Sequence, residues 1–320
     1  MTCKLKKSLK KKPCDSYIKG GYCTQPTLFR CIEFIERNEP VLSHSGINNF
    51  MRCHRLYYYN NICGIQLKGE EYSDPLRIGI AVDNYLSAYL LTNEITKDHI
   101  NLQMEIEYQW QAKVIAIIRA FLEKINYKAL IKNYIGQKSF ISYRDGNPTI
   151  TGIIDFESND KTKFIELKCG KSPEYYTNIF HIKYKLATYF MSCETYESGN
   201  VWVIRVPQLK STGQHKDETL SEYSDRCYRV MIAQPAWYFP GYNSKTRNFG
   251  TRISREECDV ENMAKYYKLT SHFLKIAIKE DTFMRNSGGC LYPFKCDYLA
   301  ICESNGAISE DIYTYREKKK

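Results

Sequence analysis

An acid closes one apolar run, Gly152-Ile153-Ile154-Asp155, and an acid and a lysine share one face of the next, Ile165-Glu166-Leu167-Lys168. Side chains alternate along a strand, so Phe164, Glu166 and Lys168 are expected to point one way and Ile165 and Leu167 the other. The apolar pair would anchor the strand while Glu166 and Lys168 meet at an open face. Asp155 sits at the exit of the partner strand, where pairing brings it near Glu166. Two carboxylates this close repel each other unless a cation lies between them. Mg²⁺ prefers such oxygen ligands and keeps several waters, and a water made acidic by the metal can attack phosphorus. Lys168 can orient that water and offset charge in the transition state. The chemistry in prospect is metal-assisted hydrolysis of a phosphodiester.

Glu-x-Lys alone carries little, because Glu317–Lys319 repeats it in a charged tail. The strand setting, the preceding Gly-x-x-Asp and the turn between the strands are what set residues 152–168 apart. Gly170-Lys171-Ser172 resembles the end of a phosphate-binding loop. That motif needs glycine five positions before Gly170, where Ile165 stands, so a Walker-type ATPase is not expected.

The elements that position these residues follow from pattern and punctuation. Residues 30–56 read as helical pieces around a turn at Glu39-Pro40. Pro75 precedes a helix through Leu76, Ile80, Asn84 and Ala88, and another long helix runs near residues 102–125. Residues 138–143 have strand character, broken by Asp145-Gly146-Asn147-Pro148. Residues 149–156 and 163–168 form a hairpin around Ser158-Asn159-Asp160. A helix near 179–192 follows, then strands at 201–206 and 228–232. An aromatic loop at 237–242 comes next, able to stack unpaired bases or simply to pack. A helix near 256–279 precedes a cysteine-bearing tail. This order predicts an α/β fold with a mixed central sheet flanked by helices.

The net charge of +10 is concentrated at the ends: six lysines lie within residues 1–12, and residues 316–320 carry a net of three, leaving about one for the body. Such tails are solvated ends or loose phosphate contacts. Hydrophobic residues make up 43% and aromatic residues 14%, which argues for a folded chain. No run approaches the ~18 apolar residues of a membrane span, and nothing resembles a secretory segment. The expectation is a protein that stays in the cytoplasm with no membrane partner.

Thirteen cysteines in a reducing compartment point to metal binding more than to disulfides. Cys290, Cys296 and Cys302 are evenly spaced, and three thiolates need a fourth partner, for which Cys53 is a candidate. No Cys-x-x-Cys pair of the zinc-site kind occurs. Four thiolates can hold a [4Fe–4S] cluster. Cys3, Cys14, Cys23 and Cys31 have long spacings in a lysine-rich setting and read as incidental.

In this order the motifs resemble the RecB/AddB-type branch of the PD-(D/E)xK nucleases, which includes CRISPR-associated and phage exonucleases with an iron–sulfur staple. The match runs from Ser45-x-Ile47-x-x-Phe50-x-x-Cys53 through a Gly79-containing helix, Gly152-x-x-Asp155 and Glu166-x-Lys168. It continues through a helix with Tyr189 and ends at Phe283-x-Arg285-Asn286 and the cysteine trio. It spans roughly residues 45–302.

The resemblance implies a restriction-endonuclease-like sheet with an iron–sulfur lobe joining the N- and C-terminal regions. It implies a basic segment at 1–30, one nuclease domain at 31–303 and a charged tail at 304–320. Asp155, Glu166 and the Leu167 carbonyl would bind Mg²⁺ or Mn²⁺, and Lys168 would be the catalytic lysine. Cys53, Cys290, Cys296 and Cys302 would ligate the cluster. Asp83 stands where the family often has a metal-binding histidine. Lys185 replaces the glutamine of the family's Gln-x-x-x-Tyr helix, with Tyr189 as its tyrosine, so both residues would face DNA. His181, one turn earlier, reads as a substrate-side or surface residue. The cysteine spacing is wider than the commoner pattern, which leaves Cys290 the weakest of the four. The implied activity is a DNA nuclease acting on ends or single strands in repair, recombination or phage DNA processing, in a bacterium or phage-infected cell. A helicase or recombination protein is the expected partner. The alternative is a DNA-holding subunit of a recombination or CRISPR-adaptation complex with weak or lost catalysis.

Overall fold

The computed structural model describes residues 17–18, 22–23, 40–68, 74–92, 108–142, 148–172, 174, 176, 179–291, 295–306 and 308–315. The two charged ends, the expected helical pieces before residue 40 and the expected helix start at 102–107 lie outside the described residues. So do Cys3, Cys14 and Cys31.

The chain divides into two compact units. One gathers Leu42–His44 and Leu67–Thr270, and the other gathers Met1–Val41, Ser45–Gln66 and Ser271–Lys320. The second therefore draws on both ends of the chain. In chain order the elements are β1 (Tyr17–Ile18), β2 (Tyr22–Cys23), α1 (His44–Arg52), α2 (His54–Tyr57), β3 (Ile65–Leu67), α3 (Asp74–Thr92), α4 (Tyr108–Lys124), α5 (Tyr127–Asn133), β4 (Tyr134–Ser142), β5 (Ile150–Ser158), β6 (Lys163–Gly170), α6 (Ile179–Ser192), β7 (Ser198–Arg205), α7 (Leu220–Ala233), α8 (Pro235–Tyr238), β8 (Thr251–Ser254), α9 (Val260–Lys279), α10 (Leu299–Glu303) and β9 (Tyr313–Tyr315).

The larger unit is built on a five-stranded mixed sheet in the order β4-β5-β6-β7-β8. Three contacts are antiparallel. The exception is β6–β7, which runs parallel with α6 as its crossover. The α/β expectation with a mixed, helix-flanked sheet therefore holds. Ile165 and Leu167 of β6 join Phe156, Trp202 and Ile204 in a core closed by α3, α4 and α7. The opposite sheet face carries Phe164, whose ring meets Tyr189 and Phe190 of α6 edge-on at 5.3 and 5.1 Å. Both faces of β6 are thus covered, and Glu166 is completely buried rather than set on an open face.

Residues 228–232 are not a strand. They lie within α7, which starts at a Thr219–Glu222 capping box and buries Tyr223, Cys227 and Met231 at helical spacing. That periodic burial outweighs the strand propensity of the Tyr-Arg-Val-Met-Ile run. The fifth strand, β8, is too short and polar to stand out in the sequence. In the aromatic segment Tyr238 and Phe239 are buried, leaving Trp237 exposed.

The smaller unit is held by aromatic packing and long-range hydrogen bonds. Tyr58 meets Phe283 at 4.8 Å, and Tyr59 meets Tyr298 at 5.7 Å. The Tyr298 hydroxyl donates to the Ile65 carbonyl at 2.7 Å, and Tyr313 donates to the Asp297 carbonyl at 2.7 Å. Strands β3 and β9 pair, so ordered structure continues past residue 303. No helix among the described residues is long and apolar enough to cross a membrane.

Candidate active site

The β5–β6 ladder pairs Phe156 with Ile165 and Glu157 with Phe164, and then stops. One step further, Asp155 would face Glu166. There the strands part, and Asp155 Oδ2 takes the Leu167 N–H at 2.7 Å in place of a backbone carbonyl. The side chain thus satisfies a donor that the parting strands would otherwise leave orphaned.

Glu166 lies at the centre. Lys168 and Lys185 both place Nζ against its Oε1. The Tyr189 hydroxyl lies 2.9 Å from Glu166 Oε2 and 2.9 Å from the Ile153 carbonyl, two acceptors for one proton. Burial alone would raise the Glu166 pKa, but the two ammonium groups outweigh it and hold the carboxyl well below its usual range. Lys168 also donates to the Leu167 carbonyl at 2.9 Å. Burial opposes its charge, yet Glu166 and Asp155 keep it firmly protonated.

The other two acids behave differently. Burial, reinforced by the charge of Glu166, pushes Asp155 up to about 7. Burial also raises Asp83, which α3 presents to the same cluster, against the pull of Lys168. Asp83 Oδ1 is buried with no hydrogen-bond partner. Three carboxyl groups therefore meet two ammonium groups, and the two aspartates hold their protons more tightly than free carboxylic acids do.

The glycine of Gly-x-x-Asp has a steric role. A Cβ on Gly152 would lie 2.7 Å from the ring of Phe140, its partner across β4–β5. Gly199 makes the same allowance for Phe164, whose ring would sit 2.5 Å away. The two phenylalanines meet Tyr189 edge-on at 6.0 and 5.3 Å, fixing the hydroxyl that reaches Glu166.

The structure thus brings together Asp83, Asp155, Glu166, Leu167, Lys168, Lys185 and Tyr189. It adds His44, which sequence reasoning missed. Burial and the Lys185 ammonium lower its pKa to about 4, against the pull of Glu166, so the imidazole is neutral beside the acids. The only sequence signal for it was its place just before the Ser45–Cys53 motif.

Cys53, Cys290, Cys296 and Cys302 all line one cavity of about 280 Å³ within the smaller unit, together with Arg285. The thiols are free. Burial raises the pKa values of Cys296 and Cys302. The Asn286 N–H points at Cys53 Sγ at 3.4 Å. Among the described residues, no three His, Cys, Asp or Glu side chains are grouped as they would be around one metal ion. The four thiols are spread around a space several times the ~30 Å³ of a water. A single tetrahedral zinc would draw its sulfurs to within ~4 Å of one another.

Fold and site define a mixed α/β protein with a buried carboxylate–lysine cluster where its central strands diverge. No family model matches the chain, and no curated protein does. Five chains of solved structures match. One, described as "Crystal structure of SSO0001", is 14% identical, covers 63% of this chain and 85% of its own, and has a TM-score of 0.24. That overlap leaves the chemistry to be argued from the residues above.

Proposed function

We propose that the chain is a divalent-metal-dependent deoxyribonuclease that hydrolyses phosphodiester bonds at DNA ends or in single strands, in keeping with its RecB/AddB-like motifs. One observation carries this reading: Asp155 and Glu166 are electrostatically coupled just past the last β5–β6 pair, with the Lys168 ammonium against Glu166 and the Leu167 carbonyl. The residues that would hold Mg²⁺ or Mn²⁺ are all oxygen donors and include the unpartnered Asp83 Oδ1, although among the described residues the three acids are not grouped as they would be around one ion. Asp83, Asp155, Glu166 and the Leu167 carbonyl would hold the ion. When bound, it acidifies water and offsets charge on the phosphate.

The chain's own residues supply the rest. Lys168 orients the attacking water and balances charge on the phosphate. Lys185, already beside Glu166, is placed to meet a phosphate oxygen. Tyr189 keeps Glu166 aimed. The test is incubation of labelled linear and circular DNA with Mg²⁺ or Mn²⁺. Linear DNA should be degraded, and folded Asp155→Ala and Lys168→Ala proteins should leave it intact. Equal degradation by those variants would reject the site.

The double pairing of Glu166 favours a second reading. With both ammonium groups on one carboxylate, the chain could serve as a DNA-holding subunit of a recombination or CRISPR-adaptation complex, beside a helicase or recombination protein. Metal-independent binding of DNA without cleavage would support that reading over the first.

We propose that Cys53, Cys290, Cys296 and Cys302, which line one cavity, hold a structural [4Fe–4S] cluster. Those four cysteines would ligate it and tie the two ends of the chain into one unit. A cytoplasmic site of action follows from this assignment, since such clusters and free thiols suit a reducing compartment.

A further inference from the structure

Parallel strands β6 and β7 end side by side, at Gly170 and Arg205. Crevices at the carboxyl ends of parallel strands are common ligand sites. Here the ends carry cations interleaved with tryptophans. The Arg205 guanidinium lies 3.9 Å from the centroid of the Trp237 ring. Its Nε donates to the Trp237 carbonyl at 3.2 Å, and its Nη1 reaches the Lys171 carbonyl at 3.4 Å. Glu174 pairs with its Nη2 and takes up part of the charge. The Arg205 side chain is only 12% exposed, whereas Trp237 is 55% exposed. Arginine therefore backs one face of the indole and leaves the rest to solvent.

Trp110 extends the same surface. Lys113 Nζ lies 4.7 Å and Lys171 Nζ 5.6 Å from its ring centroid. Lys113 is 5% exposed, and no carboxylate pairs with it among the described residues. Burial and the neighbouring Lys171 both disfavour its charge. Lys171 is exposed and can offer its ammonium to an anion, with Lys113 buried behind the ring.

We propose that Trp237, Arg205, Trp110, Lys113 and Lys171 form a platform for single-stranded nucleic acid. A base stacks on the open face of Trp237, and phosphates meet the exposed Lys171. Stacking on aromatic rings accepts any base, and the cations track the backbone, which together make a surface for unpaired strands. Lys171 follows Lys168 by three residues, no more than ~11 Å along extended chain. The platform thus lies at the end of the strand that carries Glu166 and Lys168. The platform rests on the nuclease reading only for what is done to that strand. It makes the substrate single-stranded where it enters.

The test uses the full chain in EDTA, so that binding is read without cleavage, with fluorescein-labelled oligo-dT and a blunt duplex as probes. Trp237→Ala should weaken oligo-dT binding about 5- to 150-fold and leave duplex binding unchanged, with circular dichroism showing a native fold. Trp237→Phe should retain affinity but lose part of the tryptophan quenching that oligo-dT causes. Of the three tryptophans, Trp202 is buried in the core and reports nothing. Unchanged oligo-dT affinity in folded Trp237→Ala overturns the platform, as does an equal loss for the duplex. Wild-type cleavage in Mg²⁺, run in parallel, separates the two readings. Cleavage with Trp237-independent binding removes the platform alone, and Trp237-dependent binding without any cleavage removes the nuclease alone.

Discussion

Asp155 Oδ2 accepts the Leu167 N–H at 2.7 Å, at the step where strand pairing gives way. The bond holds the carboxylate against Glu166 in spite of their mutual repulsion. Burial and the charge of Glu166 nonetheless disfavour the ionised form of Asp155, against the pull of Lys168 and Lys185.

The burial of Asp155, reinforced by Glu166, has a pH signature. The folded-state pKa of Asp155 is about 7, above its ordinary 3.8. Between those values the folded chain binds the proton and the unfolded chain does not, so stability falls as pH rises from about 4 to about 7. Below about 4 both states are protonated and the penalty is absent. Asp155→Asn should abolish this fall, leaving the variant more stable than wild type by on the order of 1–3 kcal/mol at pH 8 in EDTA, with cleavage lost. Urea unfolding across that pH range checks it. A wild-type curve parallel to that of Asp155→Asn would show that folding does not raise the Asp155 pKa.

Lys168→Ala should lower the proposed cleavage rate by roughly 10²–10³, the range seen when a transition-state donor is removed. Lys185→Ala should act mainly on DNA affinity, because Glu166 keeps its Lys168 and Tyr189 partners. Steady-state kinetics on linear DNA would show the first in kcat and the second in KM. Interchanged effects would reverse the two roles.

Gly152→Ala should destabilise the protein by ~1–3 kcal/mol, since the new Cβ must displace the Phe140 ring that buttresses Tyr189. In a Phe140→Ala background the same change should cost much less. A double-mutant cycle of unfolding free energies reads that coupling directly, and strict additivity would dissociate the glycine from the ring.

Protein purified without oxygen should be brown and hold roughly four irons per chain. Cys53→Ser, Cys296→Ser and Cys302→Ser should each lose colour and iron and lower the melting temperature. Cys290→Ser tests the cavity as a whole, because it lines the same space in spite of its weaker motif. Zinc without iron would reject the cluster and leave the nuclease reading intact.

The β5–β6 hairpin was legible because its signals are local. Alternation, the Ser158-Asn159-Asp160 turn and the run at 179–192 lie within a few residues of one another, and β5, β6 and α6 form there. The same locality misled at 228–232, where strand-prone residues sit in a helix whose buried face is set by α4 and the sheet.

What residue types alone determined is the chemistry on offer: acids and a lysine at strand spacing, and cysteines too far apart for a zinc knuckle. Only the tertiary structure decided how those groups act on one another. Packing α6 over β6 buried Glu166 between two ammonium groups. The parting of β5 from β6 set Asp155 against it. The chain's fold also carried His44 to residues more than a hundred positions away, and Arg205 to Trp237. Charge coupling and stacking depend on distance in space, and an alternating strand pattern specifies which face a side chain takes but not what the rest of the chain packs against it.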